Sequence, residues 1–258
     1  MHVVIITDLE GVSCVDSIDM IPYDSEGYKK ACEYLMLDLN AAVDGAFQGG
    51  ATKVTVVDGH GGGKNFVLDM LDERATYLPV RDFIDKPIRN FDFNALMCVG
   101  AHAMAGTVNG FLDHTESSVQ WFECCINGVP CGEMLPQAYT LGILDAPFIM
   151  VSGDEAVCNE AKTLVPNVAC AVVKKAKCRN KAECLPLEES LELIRNAAKD
   201  GVERCGEIAP LKLTLPAELK ITFTRNDYCD NYVNPRHTRN GRILTRMMEK
   251  VERYGDFY

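Results

Sequence analysis

An α/β fold is what this 258-residue sequence predicts: a mainly parallel sheet flanked by helices in three layers, with a second α/β lobe or hairpin insertion. Two observations carry the expectation. Apolar, β-branched runs alternate with helical patterns along the chain, and four of those runs end in a polar cluster. Residues 2–7, HVVIIT, are a continuous apolar run of strand length. Apolar side chains then recur three and four apart at Ala31, Cys32, Leu35, Met36, Leu39, Ala42, Val43, Ala46 and Phe47. That spacing predicts a helix with one buried face, Ser25 as its N-cap and Gly49–Gly50 as its stop. TKVTVVDGHGGG (52–63) reads as a second strand that ends in a glycine-rich turn. Strand, long helix and strand within about sixty residues make a βαβ unit, whose strands run parallel.

Further strands are expected in ALMCVGAH (95–102) and APFIMVSGD (146–154). Between them Asn127–Gly128 separates two apolar runs, the signal of a hairpin. GEMLPQAYTLGIL (132–144) predicts a helix that tolerates Pro136 only in its first turn. DEAVCNEAKTLV (154–165) and PLEESLELIRNAAKDGVERC (186–205) read as helices, with a strand near VACAVV (168–173) between them. A proline-bounded loop at 210–216 precedes the strand-like LKITFT (219–224). A single catalytic unit over 1–258 is expected, its site mainly in 1–150 and a second lobe with oligomer contacts mainly in 151–258.

Composition narrows the function. Apolar residues make up 47% of the chain, ample for a core. Twenty-six basic against 37 acidic residues leave a net charge of −11, which disfavours nucleic acid or an anionic membrane as partner. No apolar run approaches the roughly 18 residues of a membrane span. Met1 leads straight into strand-like sequence without a basic, apolar leader, and a chain with its own core needs no disulfide framework, so a reducing cytoplasm is expected. Twelve cysteines are scattered and none forms Cys-x-x-Cys, which argues against a zinc ribbon or a redox dithiol.

The polar residues at the predicted strand ends carry the chemistry. They are Asp8 and Glu10 after VVIIT, Asp58 and His60 after TVV, His102 after MCVGA, and Gly153–Asp154 after FIMVS. Ligands of parallel sheets gather at such ends, where loops vary without disturbing the core. Singly each residue has a plainer explanation. An Asp after a strand suits a helix N-cap or turn, a His there a structural hydrogen bond, and Glu133 the positive end of a helix dipole. Together, imidazoles and carboxylates on one edge suit a divalent metal. DGHGGGKN is not a phosphate loop: Asn65 follows the lysine where Ser or Thr is needed, and no glycine stands at the required spacing before Gly63. Its glycines instead let backbone approach a site holding His60.

Six ordered segments resemble the zinc-dependent D-aminopeptidases of the bacterial dipeptide-transport (DppA) type: TDLEG, VDGHGGGKN, VGAHAM, LDHTES, NGVPCGEMLPQAY and FIMVSGDEA. The resemblance implies two zinc ions held by Asp8, Glu10, His60, His102 and Glu133, with His114 as the catalytic histidine. It also implies an α/β fold and a ring-like homo-oligomeric decamer acting on short peptides. One division consistent with that set has Asp8 bridging, Glu10 and His60 on one ion, and His102 and Glu133 on the other. The chain departs from the family at Ile6 and Gly59, where relatives place serine, and at Ala101, where they place tyrosine. Two other readings stay open at this point: a non-catalytic oligomer that binds peptides or amino acids, and a di-metal hydrolase of another amide or a phosphoester.

Overall fold

The computed structural model describes residues 1–232 and 235–258. Its elements in chain order are β1 (His2–Thr7), α1 (Glu26–Gln48), β2 (Lys53–Asp58), β3 (Ala75–Leu78), α2 (Val80–Asp85), β4 (Ala95–Ala101), β5 (Trp121–Ile126) and β6 (Val129–Pro130). There follow α3 (Met134–Gly142), β7 (Phe148–Asp154), α4 (Glu155–Leu164), β8 (Ala169–Cys178), β9 (Lys181–Cys184) and α5 (Leu187–Glu203). β10 (Ala217–Phe223), α6 (Asn226–Asp230), β11 (Thr238–Asn240) and β12 (Ile243–Met248) complete the set.

Seven strands form the main sheet in the order β3-β2-β1-β4-β7-β8-β9, parallel throughout except for the terminal pair β8–β9. β1, β4 and β7 are buried along their whole length, which is why their sequences are unbroken apolar runs. From β1 the chain steps outward to β2 and β3, then returns to β1's other side as β4 and continues to β7 and β8. Right-handed crossovers in opposite directions put their helices on opposite faces. So α1 covers one face, packed against α5, while α3 and α4 cover the other. The first helix matches its sequence signals closely: Ser25 Oγ accepts from the Tyr28 N–H, and Gly49 caps the C-terminus. Pro136 lies in the first turn of α3, where its missing N–H is no loss.

A second, antiparallel sheet has the order β11-β12-β10-β5-β6. Asn127 and Gly128, both at positive φ, make its β5–β6 hairpin turn. The core of this sheet, with Trp121, Ile126, Leu219 and Phe223, also takes in Leu135 of α3 and Phe257. The second lobe therefore does not follow the expected 151–258 span. β7, α4, β8, β9 and α5 belong to the main sheet, and the smaller sheet is assembled from 121–130 and 217–248. Antiparallel pairing joins segments far apart in sequence, so chain order alone does not set the boundary.

Beside β1 and β4 the backbone runs unusually close. Asp8 N–H donates to Val99 O and Gly11 N–H to Gly100 O, both at 2.8 Å. A Cβ on Gly11 would lie 2.0 Å from Ala101 O, and one on Gly100 2.3 Å from Asp8 O. Gly11 is thus a packing requirement. Gly11→Ala is expected to lower stability by roughly 3 kcal/mol, since nothing but backbone can yield. Gly206→Ala, where a Cβ meets nothing within 4 Å, should stay within about 1 kcal/mol of wild type; urea midpoints compare the two.

Candidate active site

The strand order reverses between β1 and β4, and a doubly wound sheet binds ligands in the crevice outside that reversal. Asp8 and Glu10 leave the end of β1, His60 follows β2, and His102 follows β4. His114 is added because its N–H donates to Ala103 O at 3.2 Å, folding the 103–114 loop back over the β4 end. Glu133 stands at the start of α3 yet makes no capping hydrogen bond, so its side chain is not there for the helix.

These six side chains converge in two groups. Asp8, Glu10 and His60 form one, and His102, His114 and Glu133 the other, with potential ligand atoms inside 4.8 Å in each. Asp8 lies between them. Its Oδ1 accepts from His60 Nδ1 at 2.9 Å and its Oδ2 is 3.1 Å from His102 Nε2. Glu10 Oε2 is 3.1 Å from His60 Nδ1, but without hydrogen-bond alignment, so this buried oxygen has no donor. Glu133 Oε1 is 3.5 Å from His102 Nε2 and 4.0 Å from His114 Nε2. The two imidazoles stack at 3.9 Å, each presenting Nδ1 to a backbone carbonyl: Ala103 O for His102, Leu112 O for His114.

Carboxylates and imidazoles shift one another's titration in this cluster. Burial opposes an imidazolium at His60, but Glu10 and Asp8 outweigh it and lift the ring to about 11. Burial likewise opposes charge on His102, and Glu133 and Asp8 raise it well above the usual range all the same. Burial would raise Glu10 and Glu133, yet the histidines hold both carboxyls low, Glu10 strongly so. The carboxylates thus demand positive charge at two places. Imidazole and carboxylate donors with an unpaired buried oxygen fit divalent zinc, which would displace those protons.

Residues outside the six hold them in place. Asp58, one of the strand-end candidates, points away from the groups: its carboxylate accepts from the N–H groups of Lys64 and Asn65 and from the Asn65 side chain. Asn65 Nδ2 also donates to His60 O, fixing the glycine-rich loop in which Gly61, Gly62 and Gly63 have positive φ. Asp154 takes the plainer role, accepting from Val157 N–H as the N-cap of α4 and from Phe111 N–H. Lys174 of β8 is fully buried, its Nζ donating to Glu10 O and Val15 O at 2.9 and 2.6 Å. Asp38 of α1 accepts from Ser13 N–H at 2.8 Å. No sequence pattern marks Lys174 or Asp38, because each meets the 8–15 loop only through tertiary packing.

An α/β scaffold with two histidine–carboxylate groups at its sheet reversal is the arrangement of a metal-dependent hydrolase. The model of the D-aminopeptidase family matches residues 1–250. A D-aminopeptidase of Bacillus subtilis (strain 168) is 28% identical over 225 residues, covering 84% of this chain and 79% of that protein. The solved structure of the Zn-dependent D-aminopeptidase DppA from Bacillus subtilis, a self-compartmentalizing protease, shares the fold. Its TM-score is 0.92 at 23% identity, over 100% of this chain and 95% of that one. The chain belongs to the D-aminopeptidase family.

Asp38 gives the site loop a testable pH signature. Burial raises its carboxyl to about 6, against the Ser13 hydrogen bonds that lower it. The folded state therefore holds a proton that the unfolded chain releases near 3.9. This contribution is complete below about pH 4 and lost as pH rises through about 6. Two units correspond to about 3 kcal/mol. Asp38→Asn should remove that part of the decline, so that urea-unfolding curves of variant and wild type diverge between pH 4 and 6.

Proposed function

We propose that this protein is an aminopeptidase that hydrolyses short peptides, D-amino-acid peptides among them, at a two-zinc centre. The observation that carries the proposal is the Asp8 carboxylate, with one oxygen toward His60 and the other toward His102. A bridging carboxylate between two mixed His/carboxylate groups is what a pair of dications needs. Asp8, Glu10 and His60 would hold one ion, with Asp8, His102 and Glu133 holding the other. Bound there, zinc would supply a Lewis acid for the scissile carbonyl and bring the pKa of a water toward neutrality.

The chain's own residues do the rest. His114 is the proton carrier of this reading. With Nδ1–H donated to Leu112 O, the neutral ring leaves Nε2 as the free base on the Glu133 side. It takes a proton from the attacking water and returns it to the leaving amine. Val80, Phe83, Ile84 and Met134 line the same cavity of about 500 Å³ and limit the water around the reacting groups. A closed homo-oligomer in the cytoplasm completes the proposal, ten subunits being what the family resemblance implies. The self-compartmentalizing description of the Bacillus subtilis protein supports an assembly of this kind.

Asp8→Ala should lose zinc and turnover of D-alanyl-D-alanine together, and chelation of the wild type should lower its thermal midpoint. Elemental analysis beside an amino-acid release assay reads the first; two tightly held zincs in the variant would contradict the bridging role. His114→Ala should keep both zincs and lose about 10²–10⁴ in kcat. Loss of one zinc instead would make His114 a ligand of the second group.

A further inference from the structure

One carboxylate in the metal cavity belongs to neither ligand group. Glu116 lines that cavity with Asp8, His102 and Glu133. It sits at φ 58°, a left-handed conformation unfavourable for glutamate. Its own N–H donates to Glu133 Oε1 at 2.8 Å, which ties this strained residue to the site. Tyr254 Oη donates to Glu116 Oε1 at 3.4 Å, and Tyr258 Oη donates in turn to Tyr254 Oη. Tyr254, braced by Tyr258, orients the Glu116 carboxyl. Among the described residues no lysine, arginine or histidine forms an ion pair with Glu116.

Resting on the aminopeptidase reading, we propose that Glu116 is a specificity-determining residue that receives the α-ammonium of the substrate's first residue. Asp8, Glu10 and Glu133 direct three negative charges toward two dications and have none to spare for an ammonium. Glu116 does. Beyond His114 a larger cavity of about 820 Å³ shares Glu10, Ile21, His114 and Ser118 with the first. A peptide with its amine at Glu116 and its first carbonyl beside Asp8 and Glu133 runs out into that space. The polarity is that of an exopeptidase acting from the amino end, and an N-acylated peptide offers Glu116 no charge to bind.

The test uses zinc-loaded wild type, Glu116→Gln and Glu116→Asp. Each is titrated calorimetrically with D-alaninamide and N-acetyl-D-alaninamide, and assayed with D-alanyl-D-alanine and its N-acetyl derivative. Glu116→Gln should raise KM for the free dipeptide tenfold or more with a much smaller change in kcat. It should weaken D-alaninamide binding to the same extent, at unchanged zinc content and thermal midpoint, and narrow the preference for the free amine. Glu116→Asp should restore part of the binding. Unchanged KM and amide binding would overturn the proposal, as would a fall in kcat at constant KM, the mark of a proton carrier. If wild type cleaves no peptide, the aminopeptidase reading fails. The D-alaninamide titrations still decide for or against Glu116.

Discussion

Asp8 and Glu10 are held within reach of one imidazole, and like charges that close are stable only with positive charge between them. The remainder of the structure is arranged around this constraint. The carboxylates raise His60 and His102, so protonated imidazoles answer part of that demand, and two dications would meet it with stronger, directional bonds. The demand is sharpened because Asp8 and Glu10 follow a fully buried strand, where burial makes a missing charge expensive.

Holding such a cluster requires rigid backbone, and the backbone here is tied from several sides. β1 and β4 end in mutual hydrogen bonds with Gly11 and Gly100 at closest approach. The His60 loop hangs on Asp58 and Asn65, the 8–15 loop on Lys174 and Asp38, and the His114 loop on Ala103 O. Burial lowers the Lys174 ammonium to about 8, yet its Nζ still donates to two backbone carbonyls inside the protein, Glu10 O and Val15 O. The second sheet contributes differently. Phe257 is anchored in its core, and Tyr254, three residues earlier, reaches the main core and the metal cavity. That tail joins the two sheets beside the cavity that holds the two histidine–carboxylate groups.

Much of this was legible in the residues. Unbroken apolar runs give buried parallel strands because both faces are covered. The 3.6-residue period with Ser25 and Gly49 bounds α1, and Asn127–Gly128 makes its hairpin because both residues accept positive φ. Asp8, Glu10, His60 and His102 were visible as candidates because ligands of parallel sheets gather at strand ends. Glu133 and His114 do not: Glu133 stood out only as a carboxylate at a helix start, and only the resemblance of short segments to a family drew attention to His114. Strands β3, β9, β11 and β12 were not readable, since their pairing is decided by neighbours far along the chain.

The sequence alone determined the fold class and the kinds of donor in the site, because periodicity and residue chemistry are local properties. Tertiary structure decided which strand ends meet. The reversal of strand order between β1 and β4 brings Asp8 to His102, and it leaves Asp58 and Asp154 as scaffolding, although both end strands in the same way. It alone placed Glu116 beside Tyr254, 138 residues apart, through a contact that no spacing encodes. Pairwise proximity at such separations depends on the closure of the whole chain, and that is written in packing rather than in any segment.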